Sequence, residues 1–209
     1  MRNIRGHELP FDDHESKQEY YRKNLSPPMP IQKRDEAVIL PGKDTTFWDV
    51  VVPFCEERGL RKILDVGAAY GRYSAWFAME GYEIEAMDIA SEPLRESLET
   101  AGIHIPVLEG DLETVIDDMG NYDMIFMSDV VEHFINWELT MVKVASHCKF
   151  CYILIPGDRS WDWTPDHLTI FDDEKITIMS GLFKSVMYYE KVYYDDDNYW
   201  HTAIFKGYA

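Results

Sequence analysis

From Thr45 onward the spacing of apolar and polar positions changes back and forth between two periods. Phe47 to Arg58 carries apolar residues at helical spacing, with Thr45 or Thr46 placed to cap it and Gly59 to end it. Lys62 to Val66 is a short apolar run, followed by a glycine turn and by a second helical stretch, Arg72 to Glu80, stopped at Gly81. Tyr82 to Met87 reads as a second strand ending at Asp88, and Pro93 to Thr100 as the helix after it. Ile105 to Leu108, Tyr122 to Met127 and Tyr152 to Ile155 are three further strands. Phe183 to Tyr194 and Tyr199 to Phe205 then flank Asp195-Asp196-Asp197-Asn198, a hairpin signal. This alternation predicts a doubly wound α/β domain: a mostly parallel sheet, helices on both faces, and an antiparallel hairpin at the C-terminal edge.

Residues 1–44 lack this rhythm and contain the break Ser26-Pro27-Pro28-Met29-Pro30. They read as an N-terminal extension, partly flexible, with one short helix near Glu15 to Lys23 and a place from which to act as a lid over the domain at 45–209. A chain of 209 residues with 46% hydrophobic side chains holds one core and is not disordered. Charge changes the picture more. Residues 1–47 hold eight basic and eight acidic side chains, so the whole formal net charge of −18 belongs to the remainder. Such a body has little to offer a phosphate backbone, which makes a nucleic-acid partner unfavourable. No apolar run is long enough to span a membrane, and the chain does not open on a secretory signal. Three irregularly spaced cysteines give no disulfide framework and point to a reducing, cytoplasmic setting. Cys148 and Cys151 form a lone CxxC without a second pair, better read as buried thiols than as a zinc site.

In an open α/β sheet, ligands bind beyond the carboxyl ends of the strands. Asp65-Val66-Gly67-Ala68-Ala69-Tyr70-Gly71 follows the first strand, Asp88 closes the second 23 residues after Asp65, and Asp111 follows the third after another 23. The glycines let backbone approach a ligand, and a carboxylate at the second strand tip can accept both hydroxyls of a ribose. Asp88 alone equally suits a solvated strand end, and Asp111 a helix cap.

These residues resemble the class I S-adenosylmethionine-dependent methyltransferases. Ile63 to Gly71 is similar to their first motif, Glu85-Ala86-Met87-Asp88 to their second-strand ending, and Gly110-Asp111-Leu112 to the element beside the adenine. Tyr122 to His133 is similar to the fourth-strand motif and Tyr152 to Pro156 to the fifth. The resemblance implies seven strands in the order 3-2-1-4-5-7-6 and S-adenosylmethionine as cofactor. It implies cofactor contacts from Asp65, Gly67, Ala68, Tyr70, Gly71, Asp88, Ile89, Asp111, Leu112, Ser128 and Asp129. Ala69 stands where the family often has a middle glycine.

A second group lies farther on. At the start of the helix after the fourth strand, Asp129, Glu132 and His133 share one face, so that all three can point into the cleft mouth. Pro165-Asp166-His167-Leu168-Thr169-Ile170-Phe171 follows the fifth strand, and its histidine resembles that of many small-molecule methyltransferases. His133 or His167 then serves as a general base or orients the acceptor oxygen, with His167 the preferred base because its loop can adapt to an acceptor. Alternatively, Asp129, Glu132, His133 and His167 hold a metal, a pattern similar to Hen-type RNA 2′-O-methyltransferases and ubiquinone-pathway O-methyltransferases. Trp161 and Trp163 can stack on an acceptor or simply pack their loop. The resulting expectation is methyl transfer to a small-molecule acceptor at oxygen, such as a sugar or quinone precursor, without a metal. The alternatives are a metal-dependent RNA 2′-O-methyltransferase and a non-catalytic S-adenosylmethionine-binding module.

Overall fold

A computed structural model describes residues 10–11, 13–24, 29–33, 35–157, 166–193 and 198–209. Trp161, Trp163 and the Asp195-Asp196-Asp197 turn lie outside the described residues. In chain order the elements are α1 (His14–Lys23), α2 (Lys43–Thr46), a π turn (Phe47–Val51), α3 (Val52–Arg58), β1 (Lys62–Val66), α4 (Arg72–Met79), β2 (Glu83–Asp88) and α5 (Glu92–Thr100). They continue with β3 (Val107–Glu109), α6 (Leu112–Val115), β4 (Tyr122–Ser128), α7 (Trp137–His147), β5 (Cys148–Pro156), α8 (Asp173–Gly181), β6 (Ser185–Tyr193) and β7 (Tyr199–Lys206).

The strands form one seven-stranded sheet in the order β3-β2-β1-β4-β5-β7-β6, as expected for the class I methyltransferase fold. The first five are parallel, whereas β7 runs antiparallel to both β5 and β6. Side chains alternate across the pleat and so divide the core into two layers. Leu64, Ile125, Met127, Ile153 and Ile155 face one way, with Met141 and Val144 of α7 and Ile176 and Met179 of α8. Ile63, Met124, Phe126 and Tyr152 face the other way, with Phe47, Val51, Trp76 and Phe77. Phe126 stacks on Tyr152 across the strands at 4.7 Å, a pair contributing about 0.5–1.5 kcal/mol beyond its buried area. Cys55, Cys148 and Cys151 are buried free thiols, in line with the packing reading of the CxxC. No helix among the described residues is long and apolar enough to cross a membrane.

Several boundaries differ from the sequence reading by one or more residues, three of them in ways that bear on the fold. The first domain helix starts at Lys43, so Thr45 and Thr46 sit in its first turn rather than capping it. Gly42, at φ +88°, turns the chain in. The Thr45 hydroxyl accepts from its N–H at 2.9 Å and the Thr46 hydroxyl donates to its carbonyl. The helix then widens to a π turn before Pro53, which has no N–H to offer the Asp49 carbonyl. The third strand begins two residues later than Ile105, after Pro106. That proline cannot donate to the ladder, although its carbonyl accepts from Ala86 at 3.0 Å. The fifth strand is longer than expected, starting at Cys148.

The helix expected near Glu15 to Lys23 forms as α1, opened by a capping box in which the Asp13 carboxylate accepts from the Ser16 N–H at 2.8 Å. Phe11 is buried beside Tyr20 and Tyr21, at ring separations of 5.6 and 6.1 Å. Lys17, only 3% exposed, points from α1 into the body of the domain.

Candidate active site

The tips of β1, β2, β3 and β4 open on a cleft of about 330 Å³, and α1 supplies part of its wall. Of the expected cofactor contacts, Gly67, Tyr70, Asp88, Ile89, Asp111, Leu112 and Asp129 line it, together with Lys17, Tyr21, Asn24 and His133. Asp65, Ala68, Gly71 and Ser128 do not border the cleft; they brace its walls. Asp65 is buried and accepts from Ser74 Oγ at 2.5 Å, tying the tip of β1 to α4; burial pushes its carboxyl up to about 7. Ala68 donates to the Met87 carbonyl at 3.0 Å, and its own carbonyl accepts from Gly71 at 2.7 Å.

Backbone geometry explains the glycines. Gly67 has φ +67°, and a Cβ there would stand 2.5 Å from a Val130 methyl. Gly71 has φ +80°, and its Cβ would meet Leu94 at 2.7 Å where α4 and α5 pack. Ala69 itself adopts φ +50°, the left-handed region that glycine would enter without strain. Its N–H donates to Asp88 Oδ2 at 2.8 Å, while Asp88 Oδ1 accepts from Ala90 at 2.9 Å. Each oxygen thus holds one backbone amide and retains a lone pair for the cleft. Burial raises the Asp88 pKa against the pull of these amides.

Asp111 is both helix cap and cleft wall. Its carboxylate accepts from the Glu113 N–H at 3.2 Å, from His14 Nδ1 at 2.9 Å and from Lys17 Nζ at 3.1 Å. Lys17 Nζ also reaches Glu113 Oε2 at 2.9 Å, so one internal ammonium bridges the two carboxylates of the His14, Asp111 and Glu113 grouping.

The second constellation is assembled otherwise than a shared helix face would have it. Asp129 leaves β4 at φ +55°, Val131–His133 form a 3₁₀ turn, and the helix begins only at Trp137. With Asp129 left-handed and a 3₁₀ turn in place of a helix, the Asp129 carboxylate turns away from Glu132 and His133, whose side chains stay within 3.9 Å of each other. The Asp129 carboxylate turns to Lys43 Nζ and to Trp200 Nε1, the latter at 3.1 Å, with the Lys43 ammonium 5.0 Å from the Trp200 ring. The Ser128 hydroxyl lies 3.4 Å from Asp129 Oδ2.

Glu132 points inward and is fully buried, and neither carboxylate oxygen has a hydrogen-bond partner among the described residues. Burial, reinforced by the nearby Asp129 charge, raises its pKa well above the usual carboxylate range. Its backbone carbonyl accepts from Leu168 at 2.8 Å and Thr169 at 3.2 Å, which draws the segment after β5 over the turn. His133 and His167 consequently meet edge to face at 4.6 Å. Desolvation lowers both imidazoles, His167 to about 3 with help from His133, so both are neutral at physiological pH. Of the four residues in the metal alternative, Glu132, His133 and His167 place ligand atoms within 4.8 Å of one another, and Asp129 lies outside that group. His133 borders the cleft, whereas His167 stands behind it.

Lys17, Tyr21, Lys43, Asp166 and Trp200 escaped the sequence reading. The available signal was the spacing of His14, Lys17 and Tyr21 on one face of a short helix, a pattern that any solvated face shares.

Comparison with known proteins gives this geometry its context. A family model described as a methyltransferase domain matches residues 18–201. The ubiquinone biosynthesis O-methyltransferase of Rickettsia prowazekii is 30% identical over 95 residues, 42% of this chain and 36% of that protein. Its counterpart in Rickettsia typhi is 30% identical over 94 residues, 42% of this chain and 37% of that protein. The matched segment spans little more than a third of these relatives. Among solved structures, the PH0226 protein of Pyrococcus horikoshii OT3 superposes with a TM-score of 0.65 at 14% identity, covering 91% of this chain and 99% of that one. Magnesium protoporphyrin IX methyltransferase of Synechocystis PCC 6803, solved with bound S-adenosylmethionine, has a TM-score of 0.64 at 14% identity, covering 95% of this chain and 98% of that one. With the family model spanning most of the chain, the strand order of the fold and the glycine loop beneath Asp88, the protein belongs to the class I S-adenosylmethionine-dependent methyltransferase family.

Proposed function

We propose that the protein transfers a methyl group from S-adenosylmethionine to an oxygen of a small-molecule acceptor, with His133 taking the acceptor proton. One observation carries this reading. His133 Nδ1 lies 3.1 Å from the backbone carbonyl of Asp166, which can only accept, so Nδ1 holds the ring proton and Nε2, 3.9 Å from Glu132 Oε1, keeps its lone pair on a residue that lines the cleft. A neutral imidazole with a free nitrogen is the group an attacking hydroxyl needs.

The bound donor would supply an electrophilic methyl on a cationic sulfur. Asp88 would accept the ribose hydroxyls, and the loop through Gly67 and Tyr70 would bring backbone against the donor. Asp111 and Leu112 form the opposite wall. The remaining work is alignment and proton removal. The likeness to O-methyltransferases acting in ubiquinone biosynthesis favours a phenolic hydroxyl, and the −18 charge disfavours RNA.

A second reading has its own support: the Glu132 carboxyl is buried with no hydrogen-bond partner among the described residues, beside two neutral imidazoles. Glu132, His133 and His167 match the carboxylate and imidazole donors that suit a divalent cation. There the cation would take the acceptor oxygen and lower its pKa.

The test measures S-adenosylhomocysteine release with 3,4-dihydroxybenzoate, with free hexoses and with a short RNA, before and after chelation. Turnover on the catechol that survives chelation is the expected result. Turnover lost to chelator and restored by Mg²⁺ or Mn²⁺ selects the second reading, and turnover on RNA alone overturns the small-molecule assignment.

A further inference from the structure

Helix α1 meets His133, at the histidine end of the cleft, through Tyr21. Tyr21 Oη donates to Asp166 Oδ2 at 2.9 Å and lies 3.0 Å from His133 Nδ1. The same Nδ1 is 3.1 Å from the Asp166 carbonyl and 3.5 Å from its carboxylate. The phenol has one proton, and it is committed to the carboxylate. Its oxygen therefore receives the Nδ1 proton, which it shares with the Asp166 carbonyl. In the opposite arrangement, with the phenol donating to a bare Nδ1, that nitrogen's lone pair would face a carbonyl oxygen at 3.1 Å. Three groups thus close on one tautomer and one ring orientation.

The same helix also grips the far side of the cleft. Lys17 pairs with Asp111 and Glu113, Arg22 Nη2 reaches Glu109 Oε1 at 2.6 Å, and Lys17, Tyr21 and Asn24 all border the cleft. No residue of 35–157 performs the task of Tyr21: among the described residues, the hydrogen-bonded partners of His133 Nδ1 come from α1 and from Asp166.

We propose that Tyr21 is a positioning residue for the methyl-transfer step: together with Asp166 it holds the His133 imidazole, at the edge of the cleft, with Nδ1 protonated and Nε2 bare, and it does so only while α1 lies across the cleft. Helix α1 is then part of the reaction apparatus as well as a cover. Closing over the donor and setting the imidazole become one event, because a single ten-residue helix carries both sets of contacts. The proposal rests on His133 being the group that meets the acceptor.

The experiment compares full-length wild type with Tyr21→Phe, which keeps the ring and its packing on Phe11 and Tyr20 but loses the hydroxyl. Histidine-ring ¹⁵N spectra with S-adenosylhomocysteine bound, assigned by difference from His133→Gln, read the tautomer directly. Wild type should show protonated Nδ1, bare Nε2 and a slowly exchanging Nδ1 proton. Tyr21→Phe should mix the tautomers and speed that exchange by about tenfold or more. With 3,4-dihydroxybenzoate as acceptor, kcat should fall about tenfold to hundredfold, while KM for S-adenosylmethionine and affinity for S-adenosylhomocysteine stay within about twofold. An unchanged His133 spectrum in Tyr21→Phe overturns the proposal. So does unchanged kcat with weakened S-adenosylhomocysteine binding, the signature of a cover alone. Wild-type turnover in His133→Ala would remove the base reading and the catalytic meaning of Tyr21 with it. An inactive His133→Ala beside an unaltered Tyr21→Phe removes the positioning role alone.

Discussion

The glycine-loop half of the cleft is held by backbone, and the histidine half by side chains. At the first, Ala69 and Ala90 donate amides to Asp88, and Gly67 and Gly71 occupy left-handed conformations under close contacts from Val130 and Leu94. These bonds join neighbouring strand tips whose order the topology already sets. At the second, Tyr21 meets His133 across 112 residues of sequence and Asp166 across 145, and Lys43 meets Asp129 across 86. Backbone contacts tolerate side-chain change provided φ is respected. Side-chain contacts fail one residue at a time.

The sharpest way to break this contrast is at His133. Replacing it with Ala should lower turnover by about 10²–10⁴-fold. S-adenosylhomocysteine affinity, measured by calorimetry, should hold within about twofold, since the backbone half is untouched. Equal losses in both would merge the two halves into one. Next in size is Gly71→Val, which forces a β-branched side chain into φ +80° against Leu94. Strain and overpacking together should cost about 2–4 kcal/mol in urea unfolding, with catalytic loss only in proportion to the unfolded fraction.

A smaller effect is expected at Asp88. Asp88→Asn keeps the shape but removes the charge from the ribose contacts, weakening S-adenosylhomocysteine by about 1.5–3 kcal/mol, roughly ten- to hundredfold, with the maximum rate at saturating donor largely retained. Unaltered affinity would leave Asp88 a purely structural clasp for the loop.

The mildest test is the pH dependence at Asp65. Its folded pKa, about 7, lies above the ordinary value of 3.8, so the folded protein keeps a proton that the unfolded chain has released between those limits. The stability this contributes is full below pH 4 and is lost as pH rises through 7. Asp65→Asn, which cannot ionise, should therefore show a flatter urea midpoint between pH 5 and 8 than wild type. Parallel profiles would place the ionised carboxylate in the folded state.

What the sequence determined by itself was everything that follows from local period and local conformation. The change from helical to strand spacing marked the seven strands and the helices between the first three of them, though not α7 or α8, and the acids at 88 and 111 marked strand tips that open on the cleft. The glycine loop was legible because left-handed turns select residues without a Cβ, and Ala69 departs from that rule at a position that is indeed left-handed. Pro106 and Pro53 shifted boundaries for the same local reason: a missing donor. The tertiary structure decided the rest. Helical spacing put Asp129, Glu132 and His133 on one face, but the left-handed turn at Asp129 sends one carboxylate to Lys43 and Trp200 and buries the other behind His133. Tyr21 and Lys17 gave no more signal than any polar stripe on a short helix, because their meaning lies in what they meet. Periodicity specifies which face of an element is buried. Which distant side chains then touch depends on how the buried faces pack, and that is a property of the folded chain alone.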